Sequence, residues 1–201
     1  MNKLLIVSVF LMGMIIRQSY SHPIYDLLIK NVNIIDVKKG KTINNQNIFI
    51  QGDRIIIITD RLKSEHTAKI TIDGSGKYLI PGLWDMHTHN WWNLHFSNYY
   101  VANGVLGVRN MYTPMEFIKP LKDSIDHDLI IGPKYFAAGR VIEGSNPEFT
   151  DWLVVDSVHK IKSALDILES EGSDFVKIYN KIPRQVYFEL MKEAHKRGIE
   201  V

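Results

Sequence analysis

The chain has 201 residues, 45% of them apolar, and 24 basic side chains against 22 acidic ones for a formal net charge of +2. That is enough for a core and one or two domains, and with no long run of either sign it excludes a dedicated nucleic-acid surface or a polybasic membrane patch. Cysteine is absent, which excludes disulfides and thiolate metal sites, so any metal must rest on histidine, carboxylate or a modified lysine.

Met1-Asn2-Lys3 is a short positive start, followed by an apolar run from Leu4 to Ile16. At about 13 residues the run fits the h-region of a leader and falls short of the ~20 needed to span a bilayer. Ser19 and Ser21 put small residues at the −3 and −1 positions of a cleavage site before His22. Residues 1–21 therefore read as a signal peptide for export, periplasmic or secreted. Arg17 leaves an uncleaved anchor as the alternative.

From Asp26 to Ile80 the pattern is β. Leu27 to Asp36, Asn47 to Gln51, Arg54 to Ile58, Lys69 to Asp73 and Tyr78 to Ile80 are rich in branched apolar residues, and Gly52-Asp53 is a tight-turn signal. Residues 22–80 are expected to form a small antiparallel, sandwich-like β domain without chemistry of its own.

After Pro81 strands alternate with helical patterns, the signature of βα units and a parallel sheet. Strands are expected at Leu83–His89, Val105–Met111, Lys134–Gly139 and Asp174–Tyr179. Helices fall around Phe96–Asn103, Met115–Ile125 and Ser157–Glu171, and from Pro183 to Gly198. In the third helix Val158, Ile161, Leu165 and Leu168 share a face, and in the fourth Val186, Leu190, Met191 and Ala194 do. Ile199 begins a fifth strand, where the chain stops. An eightfold barrel takes roughly 250 residues, so residues 81–201 read as its front part.

Two positions carry the chemistry. His87 and His89 stand two apart on a strand and face one point in space, and neutral imidazole is a common zinc ligand. His-x-His also occurs by chance. Lys177 sits in an apolar strand with Phe175 and Tyr179 on its face, while Val176 and Ile178 take the other. A buried ammonium needs a carboxylate partner or conversion by CO₂ to an anionic carbamate, unless its head reaches solvent. Arg109 can meet a substrate carboxylate or form a structural ion pair, and Tyr179 can donate to substrate or pack. Asp85 is expected on the same face as the histidines, as a hydrogen-bonding support. Trp91, Trp92 and His95 form either an aromatic specificity wall or ordinary loop packing. His159 and His195 read as surface residues, and His22, His66 and His127 have no partner pattern.

Leu79-Ile80-Pro81-Gly82-Leu83-Trp84-Asp85-Met86-His87-Thr88-His89, between a small β domain and Gly104-Val105-Leu106-Gly107-Val108-Arg109-Asn110, resembles the amidohydrolase superfamily. Asp174-Phe175-Val176-Lys177-Ile178-Tyr179 resembles the fourth-strand motif of its imidazolonepropionase-like and zinc-dependent prolidase-like branch. The likeness covers roughly residues 26–201. It implies an α/β fold, the front part of a (β/α)₈ TIM-type barrel, with one or two Zn²⁺ or other divalent ions at the strand ends. His87 and His89 would bind the metal and Lys177, as a carbamate, would bridge. Two further histidines and the aspartate that serves as general base would lie beyond residue 201.

The function so implied is hydrolysis of amide-like carbon–nitrogen bonds, as in a dipeptide or cyclic amide, by metal-activated water. Lactone or phosphoester hydrolysis is the variant. The alternative class is a catalytically incomplete half-barrel or a subunit needing a C-terminal partner. The implied partner is a small-molecule or peptide-like substrate. Nucleic acid and, after leader removal, membrane are not implied, and a homo-oligomer stays open.

Overall fold

The computed structural model describes residues 24–89 and 97–201, which divide between Ile80 and Pro81 into two compact units. The leader reading and the residues Trp91, Trp92 and His95 lie outside the described residues. Among the described residues no helix is long and apolar enough to cross a membrane.

The first unit is one five-stranded sheet of β1 (Ile24–Asp36), β2 (Lys41–Gln51), β3 (Arg54–Thr59), β4 (Thr67–Asp73) and β5 (Tyr78–Leu79). Its order is β3-β2-β1-β4, and β5 also pairs with β1. β1 with β2 and β2 with β3 are antiparallel, and the Gly52-Asp53 turn joins the second pair. The expectation of a wholly antiparallel, sandwich-like domain is corrected here, because β4 and β5 run parallel to β1 within the same sheet. The link over residues 60–66 contains no Gly or Pro to close a hairpin. It carries the chain past β2 to the far side of β1, and a strand arriving that way is parallel. Leu28, Val32, Ile48 and Phe49 are the buried apolar residues of this unit.

The second unit is mixed α/β. β6 (Leu83–Thr88), β7 (Val105–Asn110) and β8 (Lys134–Ala137) form a parallel sheet in chain order. Between them run α1 (Ser97–Ala102) and α2 (Met115–Asp126), whose Met115, Ile118 and Leu121 bury against Val108, Tyr135 and Ala137. A second parallel sheet has the order β10-β9-β11, from β9 (Val141–Glu143), β10 (Leu153–Val154) and β11 (Lys177–Ile178).

The strand expected over Lys134–Gly139 is thus β8, ending at Ala137, and a further strand, β9, follows it outside the expected span. The chain kinks at Gly139, whose φ of +67° is left-handed and whose absent Cβ would lie 2.5 Å from Ser173 Oγ. Asp174 bridges the two sheets: its N–H donates to Ala137 O at 2.9 Å, and its Oδ2 accepts from Ala137 N–H at 2.8 Å. Lys122 neutralises the same carboxylate.

α3 (Ile161–Glu171) follows a 3₁₀ turn at Val158–Lys160, and α4 (Arg184–Arg197) follows Pro183. Both helices stop at left-handed glycines, Gly172 and Gly198. Ile161, Ala164, Leu165 and Leu168 of α3 and Val186, Leu190 and Ala194 of α4 bury in one cluster with Ile142 and Val176. Val158 stays exposed because its turn is 3₁₀ and off the α-helical stripe. Ile199–Val201 form no strand, although Val176 N–H donates to Glu200 O at 2.8 Å beside β11.

Leu190 is fully buried while Phe188 of the same helix is 52% exposed. Leu190→Ala is expected to lower unfolding free energy in urea by about 2–5 kcal/mol through lost transfer energy and a residual cavity. Phe188→Ala should cost less than about 1 kcal/mol.

Candidate active site

The ends of β6 and β7, the start of β9, β11 with the residue after it, and the stretch over residues 148–152 line a cavity of about 370 Å³. His87, His89, Lys177 and Tyr179 all line it, together with Tyr112, Glu148, Phe149 and Trp152. The folding of β11 explains how Lys177 arrives there. Val176 and Ile178 pack into the cluster under α3 and α4, and strand alternation sends Lys177 and Tyr179 to the cavity. Phe175 packs with Met111 and Ala138 at the base of the same face.

His87 is the penultimate residue of β6 and His89 is the first residue after it. Their Nε2 atoms are 3.1 Å apart, with ring planes at 59°. Two nitrogens each about 2.0–2.1 Å from one ion, at an angle near tetrahedral, would stand roughly 3.1–3.4 Å apart. The pair therefore has the bite of a chelate. Partial burial holds the His89 imidazole below its ordinary pKa, and the charges of His87 and, less, Lys177 act the same way. A bond with the Tyr112 backbone opposes them. These effects favour the neutral form of the His89 ring, the form that can act as a ligand.

This donor set fits part of a divalent-cation site: two imidazole nitrogens with a lysine on the same cavity wall. Lys177 is half-buried and forms no ion pair among the described residues. Among those residues no group of three His, Asp or Glu side chains converges on one point.

Asp85 does support His87, but from another direction than expected. Its Oδ1 accepts from the His87 backbone N–H at 3.2 Å. It is paired with Val108, which packs on the helix side. The register breaks between Asp85 and Thr88, so the alternation that carries the histidines does not carry Asp85 with them. Arg109 also lies elsewhere: its guanidinium sits 4.3 Å over the Phe175 ring, and it does not line the cavity. His159 and His195 are exposed, as read from their helices. His66 accepts from Lys63 N–H through Nδ1 and packs its ring on Phe49, and His127 Nδ1 meets Asp123 O at 2.7 Å.

Two groups of site residues escape the sequence reading. Glu143 ends β9 with no exposed surface, and its Oε1 accepts from Gly144 N–H at 2.8 Å and Lys181 N–H at 2.6 Å. Glu143 Oε2 has no partner among the described residues. A Cβ on Gly144 would stand 2.0 Å from Lys181 O, so the loop after β9 and the loop after β11 touch backbone to backbone. A glutamate closing a short apolar strand before glycine, Val141-Ile142-Glu143-Gly144, is the only local signal of this clasp.

The second group is aromatic: Tyr112, Phe149 and Trp152. Tyr112 donates its hydroxyl to Asp151 at 2.8 and 3.0 Å from the two carboxylate oxygens. Burial first, and then the bond to Asp151 and its charge, push the Tyr112 hydroxyl up to about 12. The unfolded value is about 10. A raised folded-state pKa adds stability that is complete below pH 10 and is lost as pH climbs from 10 to about 12. Wild type should accordingly exceed Tyr112→Phe in urea stability by about 1–2 kcal/mol at pH 8. The difference should shrink across pH 10–12, which parallel unfolding curves would show.

No family model matches the chain. A 5-methylthioadenosine/S-adenosylhomocysteine deaminase of Caldanaerobacter subterraneus is 38% identical over 80 residues, 40% of this chain and 18% of that protein. An adenine deaminase of Thermosipho africanus is 45% identical over 64 residues, 32% of this chain and 10% of that protein. Among solved structures, a Xaa-Pro dipeptidase with bound methionine in its active site superposes with a TM-score of 0.71 at 20% identity, over 86% of this chain and 55% of that one. The matched region is thus under a fifth of the length of both curated relatives, and the chain spans about half of the solved structure. The chain is thus similar in sequence, over 64–80 residues, to these deaminases, and similar in fold to the dipeptidase.

Proposed function

We propose that the protein is a metal-dependent hydrolase of carbon–nitrogen bonds, with His87 and His89 as ligands of a divalent cation, Zn²⁺ first. Carboxylated Lys177 is the bridging ligand in this reading. The observation that carries it is the 3.1 Å approach of the two Nε2 atoms on a cavity wall shared with Lys177. The names of the relatives support the bond type, since a deaminase and a dipeptidase both cleave carbon–nitrogen bonds with water.

When bound, such a cation supplies Lewis acidity, drawing the pKa of a water down to about 7 and polarising a carbonyl. The protein's own residues do the rest. His87 and His89 present lone pairs, and the Asp85 carboxylate fixes the His87 main chain. The unprotonated Lys177 amine adds to CO₂, forming an N–C bond and releasing one proton, and the anionic product balances cationic charge in a cavity that otherwise holds nitrogen donors on that wall. The remaining ligands and the general base are assigned to the rest of a (β/α)₈ barrel. In the same reading residues 1–21 direct export and are removed.

Replacing His87 and His89 together with alanine should weaken zinc binding by at least about 100-fold, more than the loss of an outer hydrogen bond gives. Metal analysis after dialysis reads this out, and unchanged zinc content would refute the ligand assignment. Lys177→Ala should lose hydrolysis that added short carboxylic acids partly restore. Full activity in Lys177→Ala would remove the bridge.

A further inference from the structure

Trp152 is the hub of an aromatic wall in the same cavity. It packs edge-on to Tyr179 at 5.0 Å and to Tyr112 at 5.6 Å between centroids, and tilted to Phe149 at 5.3 Å. Phe149 and Tyr112 are 5.3 Å apart. Such tilted and edge-to-face pairs are the arrangement in which ring edges and faces attract one another. The four rings come from three separate segments of chain: the end of β7, the loop after β9, and the residue after β11.

The wall is held in shape before anything binds. Trp152 is 7% exposed, and Asp151 ties down the Tyr112 hydroxyl. The Glu143 carboxylate joins the loop that carries Phe149 and Trp152 to the segment after Tyr179. A rigid aromatic surface loses little conformational entropy on binding.

Its charge selects the ligand. Asp151, the carboxylate beside the wall, is already engaged by the Tyr112 hydroxyl, and Glu148 at the rim is exposed, where solvent screens it. Among the described residues that line the cavity, no desolvated carboxylate therefore favours a cation. His87, His89 and Lys177 take the polar part of the cavity.

We infer that the aromatic wall is a substrate subsite for a neutral aromatic group carried next to the scissile carbon–nitrogen bond, with Phe149 and Trp152 determining specificity. The bond in that statement rests on the hydrolase reading; the ring does not. Ring-to-ring contact adds to ordinary apolar burial, so an aromatic ligand is favoured over a saturated ring of the same size by about three- to tenfold.

The test uses the full chain, without added metal, and three probes titrated by calorimetry or ligand-observed NMR. They are N-acetyl-phenylalanine amide, its cyclohexylalanine counterpart and N-acetyl-arginine amide. The phenylalanine probe should bind about three- to tenfold more tightly than the other two. The preference should fall to near unity in Phe149→Ala, a partly exposed position, and persist in part in Trp152→Phe, which keeps a ring. Equal binding of the three probes, a preference for the arginine probe, no detectable binding, or an unchanged preference in Phe149→Ala overturns the subsite. His87→Ala separates the two readings: it should lose zinc and keep the aromatic preference. If wild type takes up no zinc yet prefers the aromatic probe, the hydrolase reading falls and the subsite stands.

Discussion

Val176 and Ile178 are committed to the apolar cluster under α3 and α4, and that commitment orients everything between them. A strand has only two faces. With one face claimed by Leu165, Leu168 and Leu190, the side chains of Phe175, Lys177 and Tyr179 have only the other. Burying a leucine-sized side chain is worth about 1.5–3 kcal/mol. Several such residues together outweigh the cost of drawing one lysine stem out of water. The placement of Lys177 in the cavity follows from packing on the opposite side of the sheet.

Much of this was legible in the chain because the signals are local. Branched runs mark β1 to β4, and the helical stripes of α3 and α4 name most of their buried residues, missing Ala164 and including the exposed Val158 and the half-buried Met191. His87 and His89 converge as their spacing predicts. What stayed hidden depends on partners far off in sequence or on a break in regularity. β9 and β10 are three and two residues long, too short for periodicity to register. Asp85 turns away because β6 loses register before Thr88, which no composition announces. The aromatic wall joins Tyr112 to residues 149, 152 and 179, far apart in sequence, whereas Trp91 and Trp92 draw attention only because they follow the first strand directly.

The cavity loops are fixed by polar means where the core is fixed by apolar ones. Glu143 is a carboxyl side chain with no exposed surface, yet one of its oxygens accepts two main-chain N–H groups from different loops. Each such bond inside the fold satisfies a main-chain group that would otherwise be costly to bury. They substitute for the secondary structure that residues 144–152 lack. Asp174 does the same nearer the surface, where its carboxylate accepts from Ala137 N–H at the end of β8 and meets Lys122. Two buried or half-buried carboxylates thus bind the loops and sheets that the apolar clusters leave unjoined.

The central position of β1 has a consequence for how the first unit assembles. β1 and β2 form a hairpin, with Asp36 already paired to Lys41 across the turn, so little chain entropy opposes that contact. The parallel partners are remote: Ile24 must find Thr67, and Asn33 must find Tyr78. Until they do, β1 presents an open edge of unpaired main-chain groups, the kind of edge that recruits strands from other molecules. Non-local pairings form late and slowly. The pairings of β1 with β4 and β5 are therefore the non-local contacts on which closing this edge depends.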